Sequence, residues 1–385
     1  MATKLVNLNA AGIDVSSTEH VAAVPEDRAK ESVRTFQGFT RNLHQLARWL
    51  KECGVDTIAM ESTGVYWFDL YTILLDYGFK IYLVNAYHVK NVPGRKSDVS
   101  DARWLQELHT FGLLRSSFQP DNLTRSLRNY VRQRKNIIRQ MTTETQLMQK
   151  ALEQMNIKLN HVIRDLNGKT GTEIITEILK GERDPKILAR YRDWRIKASE
   201  ETLIKSLEGN WREEQVFNLR LAYEHYHFLQ DQLGQCDVES EKAIKEMSCS
   251  PIPKTIDKVQ KSKNNPNFNV SQYLYQALGV EVTKIYGIKE TTALAIFSET
   301  GMDLKEKFPT EKQFLSWLNV VPNNKITGGK VISSMVRGRR RTQPVRYSGM
   351  RQVPYGEHRT PLATTYEERK QKVAKNRPSW PQHEK

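Results

Sequence analysis

GRKSDVSDARWLQELHTFG, residues 94–112, is the stretch from which the fold of this chain is read. It sets two carboxylates, Asp98 and Asp101, three residues apart at the opening of a predicted helix. Side chains at i and i+3 share a helical face, so the spacing predicts two carboxylates aimed at one spot. The plainer reading is a helix terminus in which Asp98 caps and Asp101 complements the dipole. Chemistry is favoured by the chain before it, which carries two more acids on predicted strands.

Working upstream, short β-branched stretches around Gly12-Ile13-Asp14-Val15, at 20–24 and at 32–36 predict a three-stranded antiparallel meander. Asp14 stands in the first strand where a neutral residue would fit better, so it must face something that compensates its charge. Thr40 is the expected N-cap of a helix reaching Cys53, with Leu43, Leu46, Ala47 and Leu50 on one face and Gly54 closing it. VDTIAM, residues 55–60, reads as a buried strand that ends in Glu61-Ser62-Thr63-Gly64. A helix over 65–77 and a strand over 79–84 follow, and then the helix carrying Asp98 and Asp101. This order is that of a ribonuclease-H-like α/β domain, placed at residues 1–120. Sites in such sheets form where strands end and helices begin. Asp14, Glu61, Asp98 and Asp101 therefore make a candidate cage for a hard cation such as Mg²⁺, which takes oxygen ligands. Two such ions ~3.5–4 Å apart suit phosphodiester chemistry, one activating a nucleophile and the other stabilising the leaving oxygen.

Downstream, residues 121–155 predict one long amphipathic helix. Leu123, Leu127, Tyr130, Ile137, Met141, Met148, Leu152 and Met155 form its apolar stripe, which suits helix packing or a coiled-coil seam. Arg125, Arg128, Arg132, Arg134, Lys135 and Arg139 fill much of the remainder and are read as nucleic-acid contacts. The helical, coiled-coil region spans 121–270 and ends in a Pro- and Lys-rich linker at 248–269. A small, mainly helical domain at 271–334 follows. In it, 282–301 predicts helix, tight turn and helix, with main-chain N–H groups at Gly287-Ile288-Lys289 suited to a phosphate backbone. Residues 308–318 predict a further short helix. VPNNKITGGKVISS, 321–334, reads as a basic glycine-containing loop in which Lys325 and Lys330 flank hydroxyls that can meet a phosphate. Residues 335–385 hold five of the fourteen prolines and no apolar period, and read as a basic disordered tail.

The chain has 385 residues and a net charge of +15. From Lys325 onward, fifteen Lys/Arg stand against four Asp/Glu. Such an excess suits a polyanionic partner, DNA or RNA. Cys53, Cys236 and Cys249 lie far apart without a C-x-x-C spacing, which argues against a disulfide framework and a structural zinc site. No apolar run reaches the ~18 residues that would span a bilayer, and the N-terminus lacks a signal-peptide core. A cytoplasmic protein without a membrane partner is expected.

GIDVSS (12–17), AMESTGVYW (59–67) and VNAYHVKNVPGRKSDVSDARWLQEL (84–108) resemble the DEDD transposases of bacterial insertion sequences, a family of bridge-RNA-guided recombinases. YGIKETTALAIFSETG (286–301) and FPTEKQFLSWLNVVPNNKITGGKVISS (308–334) extend the resemblance. It implies a RuvC-like N-terminal domain, a coiled-coil insertion and a C-terminal transposase domain with a nucleophilic serine. It also implies Mg²⁺, DNA strand exchange, a structured guide RNA, a tetramer and a nucleoid-associated setting in bacteria. Thr327 occupies the position before the glycine where the family commonly has its serine. A threonine hydroxyl is a more hindered nucleophile, and Ser333 and Ser334 lie nearby as alternatives. After Ser334 the family continues in Ala-rich helices, which this chain lacks. That departure implies a frameshifted or truncated copy that recombines DNA poorly. The expected function is thus a Mg-dependent transposase. A metal-dependent, structure-specific nuclease acting through water and a nucleic-acid-binding relic of a transposase are the alternatives.

Overall fold

Alternating small and β-branched residues give β1 (Ala10–Val15), β2 (Glu19–Ala23) and β3 (Val33–Gln37), which pair antiparallel in succession as the meander. β4 (Thr57–Glu61) lies parallel to β1, and β5 (Lys80–Val84) parallel to β4. Among the described residues these make one mixed sheet of order β3-β2-β1-β4-β5. The apolar stripes of α1 (Thr40–Glu52) and α2 (Trp67–Asp76) cover one face. Leu46, Leu50, Leu70 and Leu74 pack there on Ile13, Val15, Ile58 and Met60. α3 (Asp101–Thr110) covers the other, with Leu105 and Leu108 against Ala59 and Val84. At its C-terminal end, buried His109 holds Thr57 Oγ1 through Nε2 at 2.9 Å and packs on the Tyr82 ring. Burial, aided by nearby Lys80, lowers the His109 pKa to about 4, so the ring is neutral. A mixed sheet with helices on both faces fits the ribonuclease-H-like expectation.

The structure, a computed structural model, divides into two compact units, Met1–Gln119 and Pro120–Lys385. It describes residues 5–85, 89, 100–247, 256, 264–302, 304–318 and 322–336; within the last stretch, side chains are described at 324 and 326–332. The predicted tail from residue 337 onward, most of the linker, and Asp98 therefore lie outside the described residues, while 335 and 336, read as the start of the tail, belong to a strand.

The second unit is built on two long helices. α4 (Asn122–Gln154) starts at Asp121, whose side chain accepts from Thr124 N at 2.8 Å. α9 (Glu213–Met247) returns antiparallel, so that Arg134 meets Asp237 and Glu144 meets His225. Between them α5 (Leu159–Val162), α6 (Lys169–Lys180), α7 (Pro185–Ala189) and α8 (Glu200–Leu207) close over Met148 and Leu152 with Ile174, Ile178, Leu188 and Leu203. At the opposite end α10 (Val270–Leu278) and α11 (Glu290–Thr300) pack on Leu127, Ile244 and Met247. Two short helices, α12 (Leu304–Lys307) and α13 (Glu311–Trp317), follow.

Three local expectations are corrected. α1 is capped by Phe39 without a side-chain hydrogen bond, and Thr40 is its first helical residue. The first arm of the predicted helix pair at 282–301 is a single 3₁₀ turn, Val282–Lys284, because Gly287 at φ 84° breaks the chain almost at once. The stretch read as a basic loop is a hairpin of β6 (Pro322–Thr327) and β7 (Lys330–Val336). Its two-residue turn is Gly328-Gly329, at φ 55° and 73°, the doubly left-handed backbone that suits a tight hairpin.

Candidate active site

Side chains alternate across a sheet, so the core residues fix which way the acids on β1 and β4 face. Ile13, Val15, Ile58 and Met60 belong to the α1/α2 core, and Ala59 to the α3 core. Gly12, Asp14, Ala59 and Glu61 therefore lie on the α3 side. β1 and β4 run parallel with Ile13 opposite Met60, which brings Asp14 and Glu61 to neighbouring positions at the strands' carboxyl ends. Both are half-buried.

α3 supplies the third carboxylate. It starts at Asp101, with the Ser100 side chain accepting from Arg103 N at 3.3 Å. Ser100 has an extended backbone (φ −59°, ψ 145°). Asp101 is thus the first residue of the helix, and its predicted pairing with Asp98 lies outside the described residues. Gly12 sets how close α3 comes to the sheet: a Cβ there would fall 2.2 Å from Ala102 O and 2.3 Å from Gln106 N. The helix backbone thus rests directly on β1 one turn from Asp101, on the face that carries Asp14 and Glu61. Asp101, in the first turn of the helix, complements the partial positive charge of its N-terminus.

The donor set, carboxylate oxygens without histidine or thiol, suits a hard divalent cation such as Mg²⁺ that keeps several of its waters. Among the described residues no three acidic, imidazole or thiol groups stand close enough together to hold a metal. Asp14, Glu61 and Asp101 share a face and an end of the sheet without closing into a ligand set.

Beyond Glu61 the chain makes a tight turn. Ser62 N donates to Val84 O and Thr63 N to Glu61 O, each at 3.0 Å. The Thr63 hydroxyl donates to Glu61 Oε1 at 3.1 Å. Gly64 adopts φ 55°, which delays α2 to Trp67 rather than 65. The E-S-T-G stretch marks a strand end in the sequence, but the contact between Thr63 and the carboxylate appears only in three dimensions.

In the second unit the arginines named from sequence divide. Arg132 makes a two-pronged pair with Glu299, Nε to Oε1 and Nη2 to Oε2, both at 2.9 Å. Arg128 donates from Nη2 to Glu299 O at 2.7 Å, while its Nε lies 3.0 Å from Oε2 off the hydrogen-bond axis. Glu299 is 4 % exposed and Arg128 14 %, so this cluster ties α4 to α11. Burial pulls the Arg128 pKa below its ordinary value, against the opposing pull of Glu299. Arg134 is likewise buried against Asp237. Arg125 donates to Asn122 Oδ1 and Pro120 O, and Arg139 to Asn136, all near the surface. Thr327 is exposed, ends β6 and pairs in register with Lys330; Lys325 is the register partner of Ser333, and Asn324 of Ser334. The side chains of Lys325, Ser333 and Ser334 lie outside those described. No helix among the described residues is long and apolar enough to cross a membrane.

Comparison with known proteins matches residues 11–157 to a transposase family of the DEDD IS110 type. Residues 281–366 match the transposase IS116/IS110/IS902 family, a match that runs past Ser334 into the stretch read as tail. A search of curated proteins returns no match. The first match contains Asp14, Glu61, Asp98 and Asp101, the second contains Thr327, and together they take in more than half of the chain. On these two matches, one at each end, the chain belongs to the transposases of the IS116/IS110/IS902 insertion-sequence family.

Proposed function

We propose that the protein is a Mg²⁺-dependent DNA transposase in which Asp14, Glu61, Asp98 and Asp101 bind the metal and the Thr327 hydroxyl is the nucleophile. The observation that carries this reading is the common face of Asp14, Glu61 and Asp101 at the carboxyl end of β1 and β4. When bound, the metal would supply Lewis-acid stabilisation of charge on the transferring phosphate. Thr327 Oγ forms a bond to phosphorus while one deoxyribose P–O ester bond breaks. The hydroxyl proton leaves to a solvent base, and the departing sugar oxygen takes one up. Strand exchange is the reverse step with the hydroxyl of a different strand. Lys330, the register partner of Thr327, and Lys325 would hold phosphate oxygens on the hairpin, with Arg125, Arg139 and the exposed side of Arg132 on the duplex backbone. Arg128 serves chiefly to hold Glu299. By family resemblance, a structured guide RNA and a tetrameric assembly on nucleoid DNA complete the reading.

The test substitutes Asp14→Asn, Glu61→Gln, Asp98→Asn and Asp101→Asn singly and measures strand cleavage in Mg²⁺. Each is expected to lose cleavage by at least 10²-fold, and full cleavage by Asp101→Asn would overturn the four-carboxylate reading. A denaturing gel then separates the nucleophile from the alternatives. A covalent protein–DNA adduct that Thr327→Ala abolishes supports attack by Thr327, and one that survives moves the role to Ser333 or Ser334. Cleavage without any adduct marks a nuclease acting through water. Binding without cleavage marks a relic.

A further inference from the structure

We infer that Thr63 is a positioning residue for Glu61 and through it sets the affinity for divalent metal, an inference that rests on the metal-binding reading above. A glutamate must fix three rotatable bonds before its carboxylate can meet a cation. Here the chain after Glu61 does part of that work. Ser62 N is held by Val84 O at the end of β5, Thr63 N by Glu61 O, and the left-handed Gly64 turns the chain back. The turn is seated from its far side too, since the Tyr66 ring lies where a Cβ on Gly64 would meet Cε2 at 3.2 Å. With the backbone so fixed, the Thr63 hydroxyl reaches Glu61 Oε1 at 3.1 Å. The carboxylate is thereby held in one orientation at the end of β4, on the face shared with Asp14.

Hydrogen bonds that orient a metal ligand typically carry ~10–100-fold in metal affinity. Thr63 is exposed, and water competes for its hydroxyl. The expected effect is therefore at the low end, about tenfold.

The experiment titrates Mg²⁺, and Mn²⁺ as a tighter probe, into the full-length protein by calorimetry, with circular dichroism as the folding control. Thr63→Val keeps the β-branched shape and removes only the hydroxyl, so metal binding should weaken about tenfold. Thr63→Ala should reproduce that loss, and Thr63→Ser should restore affinity to near the parent value. Glu61→Gln should lose the site altogether. Metal affinity in Thr63→Val within twofold of the parent, while Glu61→Gln loses it, would overturn the positioning role and leave the metal site standing. A loss in Thr63→Ser as large as in Thr63→Val would overturn it as well, because the hydroxyl would not be the cause. Unchanged binding in Glu61→Gln would instead sink the metal reading on which the inference rests.

Discussion

Replacing Gly12 with alanine should damage the site without touching a carboxylate. The new Cβ would stand 2.2 Å from Ala102 O, 2.3 Å from Gln106 N and 2.9 Å from Gln106 Cα, all backbone atoms of α3. Carbon and oxygen close to no nearer than ~3.3 Å even in weak C–H···O contacts, so the helix must retreat by about 1 Å. No side chain can rotate away to absorb the clash. Overpacking of this kind costs ~1–3 kcal/mol, and the retreat also loosens Leu105 and Leu108 from Ala59 and Val84. A loss of about 2 kcal/mol is expected. Asp101 sits one residue before Ala102, so the same movement carries its carboxylate away from Asp14 and Glu61. A displacement of ~1 Å can lower a rate by ~10²-fold. Urea unfolding of the full-length protein would read the first effect and Mg²⁺-dependent strand cleavage the second. Parent-like urea stability together with parent-like cleavage in Gly12→Ala would show that α3 does not rest on β1 at this point, and the geometric account of the site would fail.

His109 and Glu299 give two further tests. His109 titrates near 6.5 when unfolded and at about 4 when folded, so the folded state resists protonation. Its contribution is present in full above pH ~6.5 and is lost as pH falls toward ~4, up to about 3 kcal/mol. Unfolding free energy measured from pH 7 to 4.5 should fall less steeply in His109→Gln than in the parent, and parallel curves would remove His109 as the cause. Glu299→Gln keeps the shape but leaves Arg128 and Arg132 facing a neutral amide. Removing one partner of a buried pair costs ~3–5 kcal/mol, at the lower end here because Arg132 is 40 % exposed. A shift in unfolding free energy below ~0.5 kcal/mol would show that the cluster is no more than a surface ion pair.

Much of this architecture is legible in the sequence because it is local. The β1–β3 meander, the buried β4 and β5 and the single long α4 announce themselves through periods of 2 and 3.6, which depend only on neighbouring residues. The acids at strand ends stand out for the same reason, since a charge at the end of an apolar run requires an explanation. The Gly328-Gly329 hairpin was also within reach. Two glycines between the short apolar positions Ile326 and Val331 are a turn signal, although the surrounding lysines and asparagines give the stretch a loop-like composition.

Tertiary structure decided what the long-range partners are. Arg128 and Arg132 look like neighbours of Arg125 and Arg139 on a basic helix, yet they are matched by Glu299, more than 160 residues away. Arg134 is matched by Asp237, 103 residues away. No sequence pattern marks an arginine as already neutralised, because the pairing depends on which helices meet. The role of Gly12 is of the same kind: its missing side chain matters only because α3 passes over it. The sequence by itself determined most of the strands and the long helices and singled out the candidate residues for the chemistry. The fold decided which charges are spent on holding the helices together and which carboxylates share one face of the sheet, since both follow from contacts between segments remote along the chain.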